Sequence, residues 1–508
     1  MSSSNLVKTL YADFFKSFRK SPDKIFIFVD KKEFSYKDIY ELAKKISSLV
    51  AIKKLKKLSY VCIDVKDPAL HVASILSLNS LNLVSIIIPN DTTRVKLDAV
   101  NIAQPALIIC DSYNFKESIH PSLVVLFDKL ESLVINSSLN ECFEVVPESP
   151  SMVYFTSGTS SGIRKGVVQS AGNLFYSSRY ISNFMQLDSS CIEFIASPYD
   201  NAFWFGRIRT ILMNSGSVIL NSGSVNPLKI YDGVVNLGAN SISGDSSIFI
   251  IIIKYLSDRL EGYNKNIKWI KIASQPLTNK NKNNIRKLFC NAKITFNYGL
   301  TEAMRCCLLD LNCSHEKLSS VGRPCDGVDV KIFDDNYKLQ PPGVIGDVYV
   351  NGSNLALTYI NNDDLWLSKI RNNMYSTADM GYIDEDGYLY ILGRSDHAIN
   401  VGGRKVSENE VFNILQEFLP NYTYCIIGMT FADSVNGQDV CCVIESSSFD
   451  FPNFGNIRHE LLSKSNKHLV PSCFYVVETI PKTSNGKVLN NELVSLLTSL
   501  SPIFSTLK

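Results

Sequence analysis

The segment from Tyr60 to Asp111 reads YVCIDVKDPALHVASILSLNSLNLVSIIIPNDTTRVKLDAVNIAQPALIICD. Three short β-rich runs, YVCIDV, VSIIIP and ALIICD, are interrupted by ALHVASILSLNSL, whose apolar residues recur at helical spacing. Another helix-like run, YKDIYELAKKISSLV, precedes them at Tyr36–Val50. This alternation is typical of βαβ units, which build a largely parallel sheet covered by helices.

The alternation resumes between Cys191 and Thr295, through IEFIASP, NAFWFGRIRTILM, SVILNSG, IKWIKIAS and AKITFNYG, and predicts a second sheet unit. Strands predominate after Gly299, and strands and helices mix after about Ser395. A chain of 508 residues exceeds one hydrophobic core. We therefore predict an α/β fold whose large N-terminal domain, residues 1–395, holds two βα-layered sheet units and a small β-rich subdomain. A small, mobile α+β C-terminal domain covers residues 396–508.

Composition and charge exclude several kinds of partner. The formal net charge of +2 offers no field that would attract nucleic acid or an anionic membrane. The longest apolar runs, Leu83–Ile88 and Ile248–Ile253, are far shorter than the ~20 residues of a membrane span. The start MSSSNLVKTL lacks the pattern of a secretory signal, which predicts a cytoplasmic location. The 13 cysteines show no CxxC spacing, so we expect buried thiols rather than a metal site.

The segment Tyr154–Ser170, YFTSGTSSGIRKGVVQS, is the most informative about chemistry. A β-like start leads into a loop rich in Gly, Ser and Thr, which is followed by Arg164 and Lys165. Glycines let the backbone approach a phosphate closely, while hydroxyl and N–H groups donate hydrogen bonds to it. The loop is not a Walker motif, because Gly166 follows the lysine where Ser or Thr is required. Taken alone, it is also consistent with a flexible linker.

Three further segments follow in order: NYGLTEA (Asn297–Ala303), YSTADMGYIDEDGYLYILGRSDHAINVGGRKVSENEV (Tyr375–Val411) and PKTSNGKV (Pro481–Val488). Together with the loop, they resemble the four ordered motifs of the adenylate-forming enzymes. This superfamily contains acyl- and aryl-CoA synthetases, the adenylation domains of nonribosomal peptide synthetases, and luciferase. The resemblance covers nearly the whole chain.

The resemblance implies a ligase that uses ATP and Mg²⁺ to convert a small carboxylic acid into an acyl-adenylate, with release of pyrophosphate. The acyl group then passes to a thiol, either of CoA or of the phosphopantetheine on a separate carrier protein. Because two anions must approach each other, cations and donors are needed. Lys487 matches the catalytic lysine of the family, although a lysine after Asn-Gly is by itself an ordinary exposed turn residue.

Glu302 matches the magnesium ligand of the family, and Thr301 matches a residue that bonds the α-phosphate. A Thr-Glu pair after a strand is also consistent with a helix cap and a first-turn acid. Asp379 matches the acid that holds the ribose hydroxyl groups, Arg394 assists there, and Tyr298 lies along the adenine. The predicted ATP-binding residues are Thr156, Ser157, Gly158, Thr159, Ser160, Lys165, Asn297, Tyr298, Gly299, Asp379 and Arg394.

Asp396 matches the hinge about which the C-terminal domain of the family rotates between the two half-reactions. Gly402, Gly403 and Lys405 match the segment that meets the thiol acceptor, where glycines permit a narrow tunnel. A turn with solvated charges is the alternative for this segment. Only a short tail follows Lys487, so we expect no fused carrier domain.

The predicted substrate pocket contains Asp200, Phe203, Trp204, Ala273, Ser274 and Gln275. Asp200 falls where the amino-acid-activating branch pairs the α-ammonium group of its substrate, but it is also consistent with a cap for the helix that begins near Asn201. Against an amino-acid substrate, the segment NYGLTEAMRCCLL, in which Arg305 follows the motif, resembles acyl-CoA ligases for long or modified acyl groups. The sequence leaves both substrate classes open.

Several positions depart from the pattern of the family. Ser161 replaces a common threonine, Arg164 a common proline, and Ala171 a common histidine. Ala378 replaces a glycine, so it carries strain if that position needs a positive φ. Ala273 and the residues after it replace a Gly-Gly pair, which narrows the pocket. The departures at Ala378 and at Ala273–Gln275 keep open a catalytically silent nucleotide-binding relative. A kinase that uses the same glycine-rich loop is a third hypothesis.

Overall fold

The computed structural model describes residues 6–30, 32–111, 124–127, 141–156, 164–221, 225–273, 277–313, 315–395, 399–401, 404–420, 422–431, 438–446, 452–482 and 488–506. Elements in the first 145 residues are β1 (Val7–Lys8), α1 (Leu10–Lys20), β2 (Ile25–Val29), β3 (Lys32–Ser35), α2 (Tyr36–Ala51), β4 (Tyr60–Asp64), α3 (Pro68–Ser80), β5 (Val84–Ile87), α4 (Thr93–Ala103), β6 (Leu107–Cys110), β7 (Val124–Leu126) and β8 (Glu144–Val145).

The middle of the chain contains β9 (Pro150–Thr156), β10 (Lys165–Ser170), α5 (Ala171–Met185), β11 (Ile192–Ala196), α6 (Ala202–Met213), β12 (Ser217–Leu220), α7 (Pro227–Val235), β13 (Ser241–Asp245), α8 (Ser246–Tyr255), β14 (Trp269–Ala273), α9 (Asn279–Leu288), β15 (Lys293–Tyr298), β16 (Cys307–Asp310) and β17 (Arg323–Pro324). Two short 3₁₀ turns, Asn264–Asn266 and His315–Lys317, lie in the same region.

The remaining elements are β18 (Val328–Phe333), β19 (Gly346–Gly352), β20 (Thr358–Tyr359), α10 (Asp363–Ser368), β21 (Ile370–Arg371), β22 (Met374–Ile383), β23 (Leu389–Arg394), β24 (Ile399–Val401), β25 (Arg404–Val406), α11 (Glu408–Leu415), β26 (Thr423–Met429), β27 (Asp439–Glu445), α12 (Phe454–Lys464), β28 (Cys473–Val477), α13 (Asn490–Thr498) and β29 (Phe504–Ser505). A 3₁₀ turn at Lys467–Leu469 precedes β28.

The chain divides into two compact units. The first comprises Met1–Val330, Val350–Ser376 and Asp386–Leu389, and the second comprises Lys331–Tyr349, Thr377–Glu385 and Tyr390–Lys508. The α/β fold class is confirmed, with the predicted sheet-and-helix layers in the first unit and mixed strands and helices in the second. The functional boundary between residues 395 and 396 stays a prediction.

The first unit contains two large sheets. The seven-stranded sheet has the order β20-β10-β9-β5-β4-β6-β7, and the nine-stranded sheet has the order β17-β16-β15-β14-β13-β11-β12-β2-β3. The strands β12, β11, β13, β14 and β15 pair with one another in parallel, as the βαβ pattern requires, whereas β15 pairs with β16 antiparallel. One apolar core includes buried residues of α2, α3 and α6, and a second covers the face of the nine-stranded sheet that carries Ile242, Ile270 and Ile294.

Local capping signals explain where α2, α3 and α6 begin. The Ser35 and Asp38 side chains form a reciprocal capping box at α2, and Asp67 caps α3 ahead of Pro68. The Asn201 side chain accepts a hydrogen bond from the Trp204 N–H at the start of α6. Asn201 is therefore the cap of α6, and the alternative that Asp200 caps this helix is wrong.

The second unit contains the four-stranded sheet β26-β27-β28-β29 and the two-stranded sheet β24-β25. Buried apolar side chains lie on both faces of the four-stranded sheet, with Ile426 and Ile444 in one cluster and Ile427 and Val443 in the other. In a further sheet, β19 lies between β18 and β22, and β23 pairs with β22; these four strands contain residues of both units. No helix in the described ranges combines the length and apolar composition needed to cross a bilayer.

Candidate active site

The segment Gly299–Arg305 forms a tight turn after β15. The Leu300 N–H donates to the Ala303 carbonyl oxygen at 3.0 Å, and the Ala303 N–H donates back at 3.2 Å. A Cβ atom on Gly299 would lie 2.5 Å from the backbone nitrogen of Arg305, so this turn needs a glycine. Residues 299–306, all of them described, form turns rather than a helix. The alternative that Thr301 and Glu302 begin a helix is therefore wrong.

Hydrogen bonds from two neighbouring segments hold the backbone of this turn. The Gln169 side-chain Nε2 donates to the Thr301 carbonyl oxygen at 2.5 Å. The Ala356 N–H donates to the Glu302 carbonyl oxygen at 2.8 Å. Gln169 lies in β10 and Ala356 precedes β20, so the turn is fixed against both strands of the sheet edge.

The Glu302 carboxylate is almost fully buried, with 9% of the residue exposed. The Tyr359 hydroxyl donates to Glu302 Oε1 at 2.8 Å, and the same hydroxyl lies 2.8 Å from the Tyr375 hydroxyl. Lys165 Nζ lies 5.4 Å from the centre of the Tyr359 ring, which is within cation–π distance. Tyr359 therefore brings together the predicted magnesium ligand and the predicted phosphate-binding lysine.

The environment of Glu302 fits Mg²⁺. Mg²⁺ is usually bound by one or two carboxylates, while waters and substrate phosphates complete its six ligands. Glu302 provides one carboxylate, and Tyr359 orients it through Oε1. Within the described ranges, no cluster of three or more His, Cys, Asp or Glu side chains has metal-ligand geometry. A single oriented carboxylate such as Glu302 suits a cation that arrives with a polyphosphate.

The predicted phosphate loop leaves β9 at Thr156 and returns to β10 at Lys165, and these two residues are paired across the antiparallel strands. Ser157, Gly158, Thr159, Ser160 and Ser161 lie outside the described residues. After the loop, Arg164 Nη2 lies 3.0 Å from Asp91 Oδ2. Asp91 follows β5, so the residue that replaces the proline of the family forms an ion pair with a neighbouring loop.

Asn297 and Tyr298 end β15, where Tyr298 pairs with Cys307 of β16. The Asn297 Oδ1 atom is buried and has no hydrogen-bond partner among the described residues. A buried acceptor without a donor is costly, so this atom is a candidate for contact with a ligand or water.

Asp379 and Arg394 lie close together in the second unit. Arg394 Nη1 is 3.9 Å from Asp379 Oδ1 and donates to the Thr377 carbonyl oxygen at 3.2 Å. Ala378 has a φ of +57°, in the left-handed region that favours glycine. The prediction of strain at Ala378 is confirmed, because the position has the positive φ that a glycine adopts without cost.

The described pocket residues have different surroundings. Asp200 is half-buried, and its Oδ2 accepts a hydrogen bond from the Asn90 N–H at 2.8 Å. Trp204 is 1% exposed and contacts the His71 ring edge-on, with centroids 5.6 Å apart, so it packs into the core. Phe203 shares a helix face with Gly206 and Arg207 by its spacing. Ala273 ends β14, while Ser274 and Gln275 lie outside the described residues.

The predicted catalytic lysine, the hinge and the thiol-acceptor segment are not placed by the described residues. Lys487, Asp396, Gly402 and Gly403 lie outside the described part of the chain. Lys405 lies in β25, opposite Asn400 of β24, but its side chain is not described. The roles assigned to these residues stay predictions.

Sequence reasoning missed Tyr359 and Gln169. Tyr359 reaches Glu302 because β20 pairs with β10, with Val167 opposite Tyr359. This pairing joins residues nearly two hundred positions apart, so no local sequence pattern predicts it. Gln169 gives a weak signal, since an amide side chain inside the apolar run of β10 needs a buried partner.

The sequence model of the family described as AMP-binding enzyme matches residues 14–360. The chain belongs to this family of adenylate-forming enzymes. Among solved structures, the ATP-bound MatB of Rhodopseudomonas palustris has a TM-score of 0.86, 20% identity and coverage of 96% of this chain and 98% of that one. The o-succinylbenzoate coenzyme A synthetase of Bacillus subtilis, in complex with ATP and magnesium, has a TM-score of 0.84, 19% identity and coverage of 96% and 100%. At these identities the likeness establishes the fold.

Three relatives in sequence are named either as CoA ligases or as a gramicidin synthase. The oxalate–CoA ligase of Saccharomyces cerevisiae is 28% identical over 66% of this chain and 61% of its own length. The gramicidin S synthase 2 of Brevibacillus brevis is 22% identical over 96% of this chain, which spans 11% of that protein. The 2-succinylbenzoate–CoA ligase of Bacillus cytotoxicus is 23% identical over 94% of this chain and 96% of its length. The chain therefore spans 61% of the length of the oxalate–CoA ligase and 11% of the length of gramicidin S synthase 2.

Proposed function

We propose that this protein is an AMP-forming acid–thiol ligase that activates a small carboxylic acid with ATP. The observation that carries the proposal is the arrangement of Lys165, Tyr359 and Glu302. Lys165 lies at the exit of a Gly/Ser-rich loop, and Tyr359 contacts both this cation and the buried carboxylate of Glu302. The lysine and the loop suit the binding of a polyphosphate, and the carboxylate of Glu302 suits the magnesium ion that accompanies it.

The reaction requires a carboxylate oxygen to attack the α-phosphorus of ATP, with pyrophosphate as the leaving group. In this proposal Lys165 and the loop bind the outer phosphates, and Glu302, oriented by Tyr359, holds the metal ion. Bound Mg²⁺ would offset negative charge on the phosphates. Thr301 donates to the α-phosphate, while Asp379 and Arg394 bind the ribose. Lys487 offsets the charge that develops between the carboxylate and the α-phosphate.

We propose CoA as the thiol acceptor. The near-complete mutual coverage with the 2-succinylbenzoate–CoA ligase supports this choice over a carrier protein. The likeness to gramicidin S synthase 2 keeps phosphopantetheine on a separate carrier as the alternative, although this chain spans only 11% of that protein. In either case the thiol attacks the acyl carbon of the adenylate, and AMP leaves.

Exchange of labelled pyrophosphate into ATP, measured across a panel of fatty, aryl and amino acids, tests the proposal. We expect exchange that depends on one class of acid, and AMP rather than ADP once CoA is added. ADP as the product would favour a kinase. A lack of exchange with every acid, together with normal binding of ATP, would favour the catalytically silent relative.

Asp200→Ala, measured in parallel, tests the hypothesis of an amino-acid substrate. If Asp200 binds an α-ammonium group, the substitution removes exchange with amino acids and spares exchange with other acids. We expect instead a modest effect on every substrate, because the Asp200 carboxylate already accepts a hydrogen bond from the Asn90 N–H.

A further inference from the structure

One face of the nine-stranded sheet is unusually polar. Ser243 of β13, Lys271 of β14 and Thr295 of β15 are register neighbours on adjacent parallel strands, and all three are fully buried. Because side chains alternate along a strand, Ile242 and Ile270 point to the opposite face, where they join an apolar core. The helix-covered polar face therefore contains a buried amine where an apolar residue is usual.

Two arginines lie near this amine. Arg207 of α6 is fully buried, and its Nε and Nη2 donate to the two carboxylate oxygens of Glu193, each at 2.7 Å. Arg305 is 7% exposed, and its Nη1 donates to the Ser177 hydroxyl at 3.3 Å. A Cβ atom on Gly206 would lie 2.7 Å from Arg305 Nη2, so the missing side chain of Gly206 leaves room for this guanidinium group against α6.

The charges in this cluster do not balance. The bidentate pair with Glu193 balances the charge of Arg207, although Arg207 Nη1 has no hydrogen-bond partner among the described residues. Lys271 and Arg305 form no ion pair with any described residue. Lys271 Nζ and the Ser243 hydroxyl also have no hydrogen-bond partner there. A buried cation without an anion is strongly unfavourable.

The pKa values of Arg305 and Lys271 are both lowered, as expected for buried cations that lie near one another. Burial and the charge of Arg207 hold the pKa of Arg305 at about 10, below its usual value. Burial, followed by the charges of Arg207 and Arg305, holds the pKa of Lys271 well below its usual value. The other titratable groups near Lys271 are Cys325, which follows β17, and Glu193. A bound anion would act in the opposite sense and raise the pKa of Lys271.

The cluster lies on the elements that carry the candidate substrate pocket. Lys271 precedes Ala273 by two residues on β14, so both side chains point to the same face. Gly206 follows Phe203 by three residues on α6, and the Asn297 Oδ1 atom on β15 is also buried without a described partner. The cluster and the predicted pocket residues Phe203 and Ala273 therefore lie on the same two elements, α6 and β14.

We propose that Lys271 and Arg305 bind a second carboxylate group of the acid substrate, so that the protein selects a dicarboxylic acid. This inference rests on the proposed function, because it concerns the acid that the same site activates. The second carboxylate would accept hydrogen bonds from the Lys271 amine and the Arg305 guanidinium group. Ser243 and Asn297, on the strands β13 and β15 that flank the strand of Lys271, would offer further polar contacts.

Pyrophosphate exchange with matched acids tests the preference. Dicarboxylic acids of three to six carbons and phthalate are compared with the monocarboxylic acids in which a methyl group or hydrogen atom replaces the second carboxylate. We expect at least one dicarboxylate to exceed its matched monocarboxylate by about 100-fold or more, since a site built for a polar group rejects analogues that lack it. Exchange that is as fast with the monocarboxylates would overturn the inference and leave the proposed function intact.

Lys271→Met keeps most of the length of the side chain and removes its charge. We expect it to lower exchange with the preferred dicarboxylate by about 10-fold or more and to spare or improve exchange with the matched monocarboxylate. Lys268→Met is the control, because Lys268 is exposed three residues earlier in the chain. Equal exchange by wild type and Lys271→Met would contradict the assignment.

Calorimetry of dicarboxylate binding, in two buffers with different heats of ionisation, does not depend on turnover. At a pH between the pKa of Lys271 in the free protein and its higher pKa in the complex, we expect wild type to take up a proton on binding, because the bound anion raises the pKa of Lys271. Lys271→Met should bind at least about 10-fold more weakly and without this uptake. Binding with the same affinity and proton uptake in both proteins would overturn the inference even if no acid supports exchange.

Discussion

The Tyr359 hydroxyl orients Glu302 and contacts the Tyr375 hydroxyl, and the Tyr359 ring lies beside the Lys165 ammonium group. A ligand that is held by one carboxylate depends on the groups that orient this carboxylate. Tyr359 is therefore a positioning residue for the metal ion, and it was not among the residues predicted from the sequence.

Tyr359→Phe should raise the Mg²⁺ concentration that gives half-maximal pyrophosphate exchange by about 10-fold, because the hydrogen bond to Glu302 is lost while the ring stays. Tyr375→Phe is the control, since it keeps the bond between Tyr359 and Glu302. A titration with Mg²⁺ at saturating ATP separates this effect from a loss of folding. The same Mg²⁺ requirement in wild type and Tyr359→Phe would contradict the role of Tyr359.

Ala378 has a φ of +57°, which costs an alanine about 1 kcal/mol and a glycine almost nothing. Ala378→Gly should therefore raise the free energy of unfolding by up to about 1 kcal/mol, with part of the gain offset by the greater freedom of glycine in the unfolded chain. Ala378→Val should lower it, because β-branched residues tolerate this region poorly. Chemical denaturation measures both, and a stabilising valine would show that the backbone is not strained.

At the scale of elements, the sequence predicted the strands and helices of the first unit closely. The run predicted as a helix at Tyr36–Val50 is α2, and NAFWFGRIRTILM contains α6 after its Asn201 cap. These elements follow from local periodicity and capping, which the sequence contains directly.

Strand pairing between distant segments could not be predicted. The N-terminal strands β2 and β3 join the nine-stranded sheet through β12, and β20 joins the seven-stranded sheet through β10. These pairings depend on the packing of the whole unit, so local pattern does not reveal them. The contact of Tyr359 with Glu302 and the buried charges near Lys271 depend on the same packing. The sequence does give one indication of the buried charges, because Lys271 is a charged residue inside the apolar strand WIKIA.

The loop after β5 connects two predicted parts of the site, because Asp91 pairs with Arg164 and the Asn90 N–H donates to Asp200. Asp91→Asn should raise the KM for ATP by about threefold, the effect expected for a partly exposed ion pair. The difference should shrink near 1 M salt, which screens such pairs. Asp98→Asn, on the exposed side of α4, is the control. An effect that does not depend on salt would exclude the ion pair as its cause.

At the scale of the whole molecule, the proposed chemistry has two half-reactions that depend on different predicted residues. Lys487→Ala should lower adenylation by about 100-fold or more, while a preformed acyl-adenylate is still converted to thioester. Gly403→Leu should lower thioester formation and spare adenylation, because a side chain at this position would block the path of the thiol. Rapid-quench assays of each half-reaction measure both variants. Equal loss of both half-reactions in either variant would contradict the assignment of that residue.

The central claim is that a carboxylate oxygen of the substrate attacks the α-phosphorus of ATP. Mass spectrometry of AMP formed from an acid labelled with ¹⁸O in its carboxylate tests this claim most directly. When the thiol attacks the acyl carbon, the bond between that carbon and the bridging oxygen breaks, so the account predicts that each AMP carries one ¹⁸O atom from the acid. AMP without the label, or ADP as the product, would contradict it.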